Sequence, residues 1–465
     1  MPDKNTIIKE WPGQIKMKEL NDQMVRIIKK DLPGHIKSGR ELAAYVASAT
    51  AEYNGKLPIY VMYMPKLFTE KEADILKHTA ETMHGILRKM IEEYIKNPEY
   101  RSLFGFSKQA EELILTPSFY DSLLPMARVD IFLNEDDMSF KFCEFNSDGS
   151  SGMNEDREFV NGFKDTLLYK ELSKDYSLQP YELFDTWCET VKKIYGTYKN
   201  RVKDPRIGIV DFTEKGCSPE EFNAFREAFI RNDMDAEICE IRDMRYKDGI
   251  LYDTEGRRID IVYRRAVTRD VLEKSDEIKD FLAAVKDGNV CLIGSFATQV
   301  IHDKIAFVNL HLKETQNFLT GEQKDFVREH VPYTAELKKE KTDINEIIET
   351  KDKWLIKPRD SYGAVDIYAG NKFKTDEWAG IIKKHEGSDF LVQEFCTPYR
   401  TVNLDCQLKE PRFINYSNLT GLFLYDGKFS GAYSRISDDT IIAEQYDEND
   451  IGSYVIRTHK QKNIS

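Results

Sequence analysis

The sequence has no CxxC pair, no long apolar run, no surplus of positive charge and no internal repeat. Its 7 cysteines are scattered, which, with no secretory segment in MPDKNTIIKEWPGQIKMKEL, favours reduced thiols over a disulfide framework. Nothing approaches the roughly 20 apolar residues that span a bilayer. The first residues also lack an apolar signal core, so a soluble cytoplasmic protein with no membrane partner is expected. The formal net charge of −13 argues against DNA or RNA as a partner, whose phosphate backbone needs a basic surface. A small anion is not excluded, because it needs only a local basic pocket. No HExxH is present, and His78 and His84 are not spaced i,i+4, which leaves zinc without support. No GxGxxG follows the first strand of the middle region, so a dinucleotide reading is weak. What is there is a chain of 465 residues, 41% hydrophobic and 12% aromatic. That is enough for a large core and about two to four domains.

Residues 1 to about 120 read mostly as helix. Thr69-Glu70-Lys71-Glu72 is a capping-box pattern. After it, Ile75, Leu76, Met83, Ile86, Leu87, Met90, Ile91 and Tyr94 recur at helical spacing until Asn97-Pro98 stops the run, and this stripe reads as core. Residues 57–64 read as a short buried strand, and 155–195 as a helical stretch. From Lys203-Asp204-Pro205 a small α/β unit begins. Its expected strands are 207–212, 236–241 and 259–263, and its helix is capped by Ser218-Pro219 and runs to Arg231, with Phe222, Phe225, Phe229 and Ile230 on one face. In the last third, strands are expected at 290–295, 354–358, 365–368, 390–395 and 419–425, the last turned at Asp426-Gly427. The reading divides the chain into segments 1–120, 121–200, 201–300 and 301–465 of α+β or α/β class.

The densest chemistry lies in 125–155, PMARVDIFLNEDDMSFKFCEFNSDGSSGMNE. Residues 127–133 alternate as a half-buried strand and 140–146 read as a second. The polar Asn134-Glu135-Asp136-Asp137 between them predicts a hairpin. Residues two apart share a strand face, so Arg128 points with Asp130, and Glu144 with Asn146. Folding the hairpin about residues 136–137 brings Asp130 opposite a position near Phe142 to Glu144. Two carboxylates and an amide oxygen then suit Mg²⁺, with Arg128 beside them for a phosphate. An ordinary hairpin with a solvated charged face is the competing reading. The following loop, Ser147-Asp148-Gly149-Ser150-Ser151-Gly152, is small and polar, able to bring backbone close to a ligand. Cys143 reads as packing.

An apolar strand ending in Lys357-Pro358, a small-residue loop, and an apolar strand ending in Gln393-Glu394 resemble an ATP-grasp nucleotide site. With Arg128, Asp130, Glu144 and Asn146 placed ahead of the α/β unit and the lysine strands, the order resembles the circularly permuted branch, glutathionylspermidine synthase-like. The likeness runs from about Arg128 to Arg435. It implies a circularly permuted ATP-grasp fold with a small Rossmann-like pre-ATP-grasp domain at 201–300 and a helical N-terminal region. It implies ATP and Mg²⁺ as cofactors: Asp130, Glu144 and Asn146 at the metal, and Lys304, Lys357, Gly363, Gln393 and Glu394 around the nucleotide. Arg128 and Arg435 would face the transferred phosphate, and Ser150, Ser151, Arg264 and Arg265 the carboxylate substrate. Arg264-Arg265 also reads as a structural ion-pair site. The family's phosphate-covering loop is glycine-rich, whereas this one has only Gly363 between Tyr362 and Ala364, with Gly370 beyond. Either the loop closes differently or the chain uses ATP poorly. The implied activity is an ATP-dependent carboxylate–amine ligase joining a small-molecule or peptide acid to an amine. The alternatives are a phosphotransferase and a nucleotide-binding protein with a degenerate site.

Overall fold

Apolar side chains at Ala127, Val129, Ile131 and Leu133 line one face of strand β2 (Met126–Leu133) and seat it in the main core. The structure is a computed structural model that describes residues 16–51, 59–214, 219–361, 365–442 and 448–459. β2 pairs antiparallel with β3 (Phe140–Asn146) on one side and with the long β17 (Arg412–Tyr425) on the other. The sheet continues through β18 (Lys428–Ser437) and β19 (Asn449–Ile451), while β16 (Arg400–Asp405) pairs with the first half of β17. Its apolar face packs on the Glu70–Lys96 helix, which buries Leu76, Met83, Ile86, Leu87, Met90, Ile91 and Tyr94. Burying each such side chain contributes about 1.5–3 kcal/mol. The Thr69 capping box forms as expected, and the helix ends at Asn97, whose side chain caps the next turn.

The middle region is a parallel sheet. Its order is β11 (Cys291–Ile293), β10 (Ile261–Arg264), β5 (Arg206–Asp211) and β6 (Asp235–Glu240). The chain leaves β5 for β6 on one side and returns to β10 on the other, so the strand order reverses between β5 and β10, at whose carboxyl ends crevices form. A small antiparallel sheet of β7 (Arg245–Lys247), β8 (Ile250–Tyr252) and β9 (Arg258–Ile259) flanks it. A third sheet holds β12 (Thr334–Glu336), β15 (Phe390–Glu394), β13 (Trp354–Pro358) and β14 (Tyr368–Ala369), all antiparallel, with Trp378 and Ile382 of the Thr375–His385 helix under one face. The last sheet joins β1 (Lys66–Thr69), β20 (Ser453–Thr458) and β4 (Tyr176–Pro180), tying the chain's end to its first half. Among the described residues no helix is long and apolar enough to cross a membrane.

Four local expectations are corrected. The strand expected at 57–64 lies instead at β1; Val61 makes an isolated bridge to Asp450, and 52–58 lie outside the described residues. The 155–195 stretch is interrupted by β4, which pairs with β20 nearly three hundred residues on. The strand expected at 365–368 shrinks to Tyr368–Ala369, because Asp366 takes φ 59 and leaves the extended region. On the Pro219–Arg231 helix, Phe222, Phe225 and Phe229 are buried but Ile230 is exposed, and the Ser218 cap lies outside the described residues.

Candidate functional site

The polar face of the hairpin opposes Arg128 to Asn146 and Asp130 to Glu144, with a register shift between Asp130 and Ile131 that leaves Cys143 as the extra residue. The Asp130 carboxylate is fully buried. Its Oδ1 accepts from Arg128 Nε at 2.8 Å, and its Oδ2 from Arg128 at 3.0 Å and Arg435 at 2.7 Å. Arg435 comes from β18, two strands away across β17, and its other terminal nitrogen reaches Glu448 at 3.3 Å. Arg128 also donates to the Ser151 carbonyl at 2.6 Å. Both guanidinia lie beside the Tyr433 ring, at 5.7 and 5.4 Å from its centroid.

Glu144 points to the opposite wall. Its carboxylate meets Lys304 Nζ at 3.0 Å. Burial opposes its ionisation, but Lys304 and Lys357 together outweigh that and hold it down at about 2. Lys357 stands on β13 with Gln393 beside it on β15, because Leu355 pairs with Gln393 in that ladder. Its ammonium is buried and donates to Gln393 Oε1 at 2.9 Å and the Cys143 carbonyl at 3.3 Å, over the Phe307 ring. Those partners are neutral oxygens, and burial depresses the lysine from its ordinary value. Gln393 is fixed in turn by donating to Thr334 Oγ1 at 2.8 Å. Glu394, one residue on, is exposed, on the other face of the strand. Lys304 also donates to the Ser361 carbonyl at 2.6 Å, at the mouth of the loop that follows β13. Arg359 anchors that loop by donating to both oxygens of Asp303 at 2.9 and 2.8 Å. Gly363 lies outside the described residues.

Residues 147–152 fill the crevice where the parallel sheet's order reverses. Arg264, at the end of β10, pairs with Asp148 at 2.5 Å, and Asp148 also accepts from the Thr268 amide. Burial works against the Asp148 carboxylate, but Arg264 keeps it below its ordinary range. Arg265 pairs with Glu221 at 2.8 Å and donates to the Ser150 carbonyl and to Tyr263 Oη. The other Glu221 oxygen accepts from the amides of Gly152, Met153 and Asn154 at 3.1, 3.0 and 3.4 Å, capping the Met153–Phe163 helix. Ser150 Oγ donates to the Asn146 carbonyl. Arg128, Asp130, Glu144, Asn146, Lys304, Lys357, Gln393 and Arg435 therefore converge around the hairpin. Ser150, Ser151, Arg264 and Arg265 gather at the loop, and Glu394 stands apart. Sequence reasoning missed Glu221, Glu448, Thr334 and the Arg359–Asp303 anchor. Each is an ordinary polar residue that no local spacing marks; the partners of Glu221, Thr334 and Arg359 lie 44, 59 and 56 positions away, and Glu448 is 13 from Arg435.

The donor set fits a divalent cation only in part. Asp130 has both oxygens against guanidinium groups. Glu144 is ionised and partly open, and with Asn146 it offers the carboxylate and amide oxygens that Mg²⁺ takes when phosphate oxygens and water complete its shell. Among the described residues no three His, Cys, Asp or Glu are placed to hold a metal by themselves.

No protein-family model and no curated protein matches the chain. Among solved structures it is similar to a glutathione synthetase-like effector from Globodera pallida in apo form. Identity is 10%, the TM-score is 0.56, and the match covers 90% of this chain and 96% of that one. A provisionally named gamma-glutamylcysteine synthetase from Methylobacillus flagellatus aligns at 11% identity over 86% of this chain and 90% of its own, with a TM-score of 0.40, too low to add an argument. At these identities the first likeness establishes the fold alone: a mixed α/β chain of several sheets, shared with a synthetase-like structure over nearly its whole length.

Proposed function

We propose that the protein is an ATP- and Mg²⁺-dependent carboxylate–amine ligase that works through an acyl phosphate and releases ADP and phosphate. The observation that carries the reading is Lys357, a buried ammonium held only by neutral oxygens, facing the hairpin that bears Arg128, Glu144 and Asn146. A buried ammonium with no carboxylate in hydrogen-bond contact is costly in the free protein, and a nucleotide phosphate would offset that cost. The fold likeness to a synthetase-like effector supports the same class. The permuted chain order and the four-segment division belong to this proposal.

In this reading Lys304 and Lys357 flank the phosphates from the wall opposite the hairpin. Arg128 and Arg435 face the transferred group, where charge spreads over the equatorial oxygens. Mg²⁺, held by Glu144 and Asn146, would supply neutralisation of phosphate charge. Gln393 fixes the direction of Lys357, and Glu394, on the outer strand face, is left to reach the nucleotide's edge. The loop 147–152 presents backbone and hydroxyl groups to the acid. The amine then attacks the activated carbonyl and phosphate leaves. An ADP-release assay across amino acids and short peptides, each with and without an added amine, tests the proposal. Release that needs both partners is the expected result. Release with a stable phosphorylated acid and no need for amine identifies a phosphotransferase, and nucleotide binding without release identifies a degenerate site.

A further inference from the structure

We infer that Asp130 is a positioning residue, a buried clamp that holds the Arg128 and Arg435 guanidinia side by side as one two-cation phosphate site, and not a metal ligand. The inference deepens the proposed function and rests on that reading. Two guanidinia this close repel each other unless an anion lies between them. Asp130 supplies it, and its Oδ2 is shared by both arginines at 3.0 and 2.7 Å. A metal ion would have to displace three charge-assisted hydrogen bonds to reach the carboxylate, which is fully buried. The surroundings are shaped to the clamp. Gly421 lies opposite Asp130 on β17, and a Cβ there would come within 2.8 Å of Arg128 Cδ and 2.9 Å of Asp130 Oδ1. Tyr433 forms a shared wall for both guanidinia and is itself anchored by its hydroxyl to Asp450 at 2.5 Å.

The pair also keeps donors in reserve. Arg435 Nε is buried and, among the described residues, has no hydrogen-bond partner. Asp130 and Glu448 balance the two arginines in charge, so what the pair offers a phosphoryl oxygen is its open donor. Glu448 steadies Arg435 from the far side at 3.3 Å. Glu144 and Asn146 are left as the metal-facing oxygens, and the hairpin then divides its labour: β3 for Mg²⁺ and β2 for the phosphoryl group.

The test is calorimetric titration of ATP with and without Mg²⁺ into the wild type, Asp130→Asn, Gly421→Ala and Glu144→Gln. Asp130→Asn and Gly421→Ala are expected to weaken ATP by about tenfold, equally in both conditions, so that the gain in affinity on adding Mg²⁺ stays within about twofold of the wild type. Glu144→Gln should abolish that gain. An Asp130→Asn protein that loses the Mg²⁺ gain as Glu144→Gln does, or that binds ATP as the wild type does, overturns the clamp and leaves the proposed function standing. A wild type that binds no nucleotide overturns the proposed function and the clamp with it. If Asp130→Asn does not fold, Gly421→Ala, which retains every charged group, decides by the same ratio.

Discussion

Two arginine pairs near the 147–152 loop, adjacent Arg264–Arg265 and the far-separated Arg128–Arg435, hold their carboxylates differently. Arg264 and Arg265 each own a buried carboxylate, Asp148 and Glu221, and their other donors reach backbone carbonyls, Thr268 and Tyr263, with Arg265 Nε left unpaired among the described residues. Arg128 and Arg435 share Asp130, with Glu448 at 3.3 Å from Arg435, and Arg435 Nε is likewise unpaired among the described residues. The first pair fastens the loop to the parallel sheet; the second gathers two guanidinia on one carboxylate at the hairpin. Lys304 and Lys357 differ more sharply, one paired with Glu144 and the other hydrogen-bonded only to neutral oxygens. Of these cations Lys357 is the one left to a ligand.

Breaking the first pair should have the largest effect on the fold. Glu221→Ala strands Arg265 and uncaps the Met153–Phe163 helix, and should cost about 3–5 kcal/mol, read as a lowered urea midpoint with or without ligand. A loss below about 1 kcal/mol would mean the pair is not structural. Asp156 sharpens the comparison as a buried carboxylate with no ion-pair partner among the described residues. Burial raises it to about 8, and it accepts from the Ser453 amide at 3.1 Å. A carboxyl whose folded value is raised binds its proton more tightly in the native state. Stability should therefore fall as pH rises from its ordinary 3.8 to about 8, at up to about 1.4 kcal/mol per pH unit. Asp156→Asn should be more stable than the wild type at pH 8 and lose part of that slope; equal slopes in the two proteins would contradict the assignment. At the small end, the exposed Arg88–Glu92 pair on the long helix should contribute less than about 0.5 kcal/mol, and Arg88→Ala should leave the thermal midpoint nearly unchanged.

The hairpin was legible because period-2 alternation and a polar turn mark its two strands, and Arg128, Asp130, Glu144 and Asn146 lie on them, but the pairing of Asp130 with Glu144 depends on a bulge. The bulge at Cys143 was not, since nothing in the strand's composition signals an extra residue. β4 was hidden inside a helical pattern because its partner is the chain's last strand. The partnership of Arg435 with Asp130 spans 305 positions, and Glu221 reaches across 44 to Arg265. Pairings at that separation are set by the fold and leave no local trace. Motif resemblance pointed to Lys304 and Lys357, but only the structure shows that one is paired and the other is not.

The central claim is that the surplus charge around Lys357 is a nucleotide site. Calorimetric titration of Mg·ATP into the wild type and Lys357→Ala tests it most directly, with thermal midpoints of the free proteins as the control for folding. The account predicts saturable binding to the wild type and an affinity at least about tenfold weaker in the variant. No heat with the wild type, or the same affinity in both proteins, would contradict it.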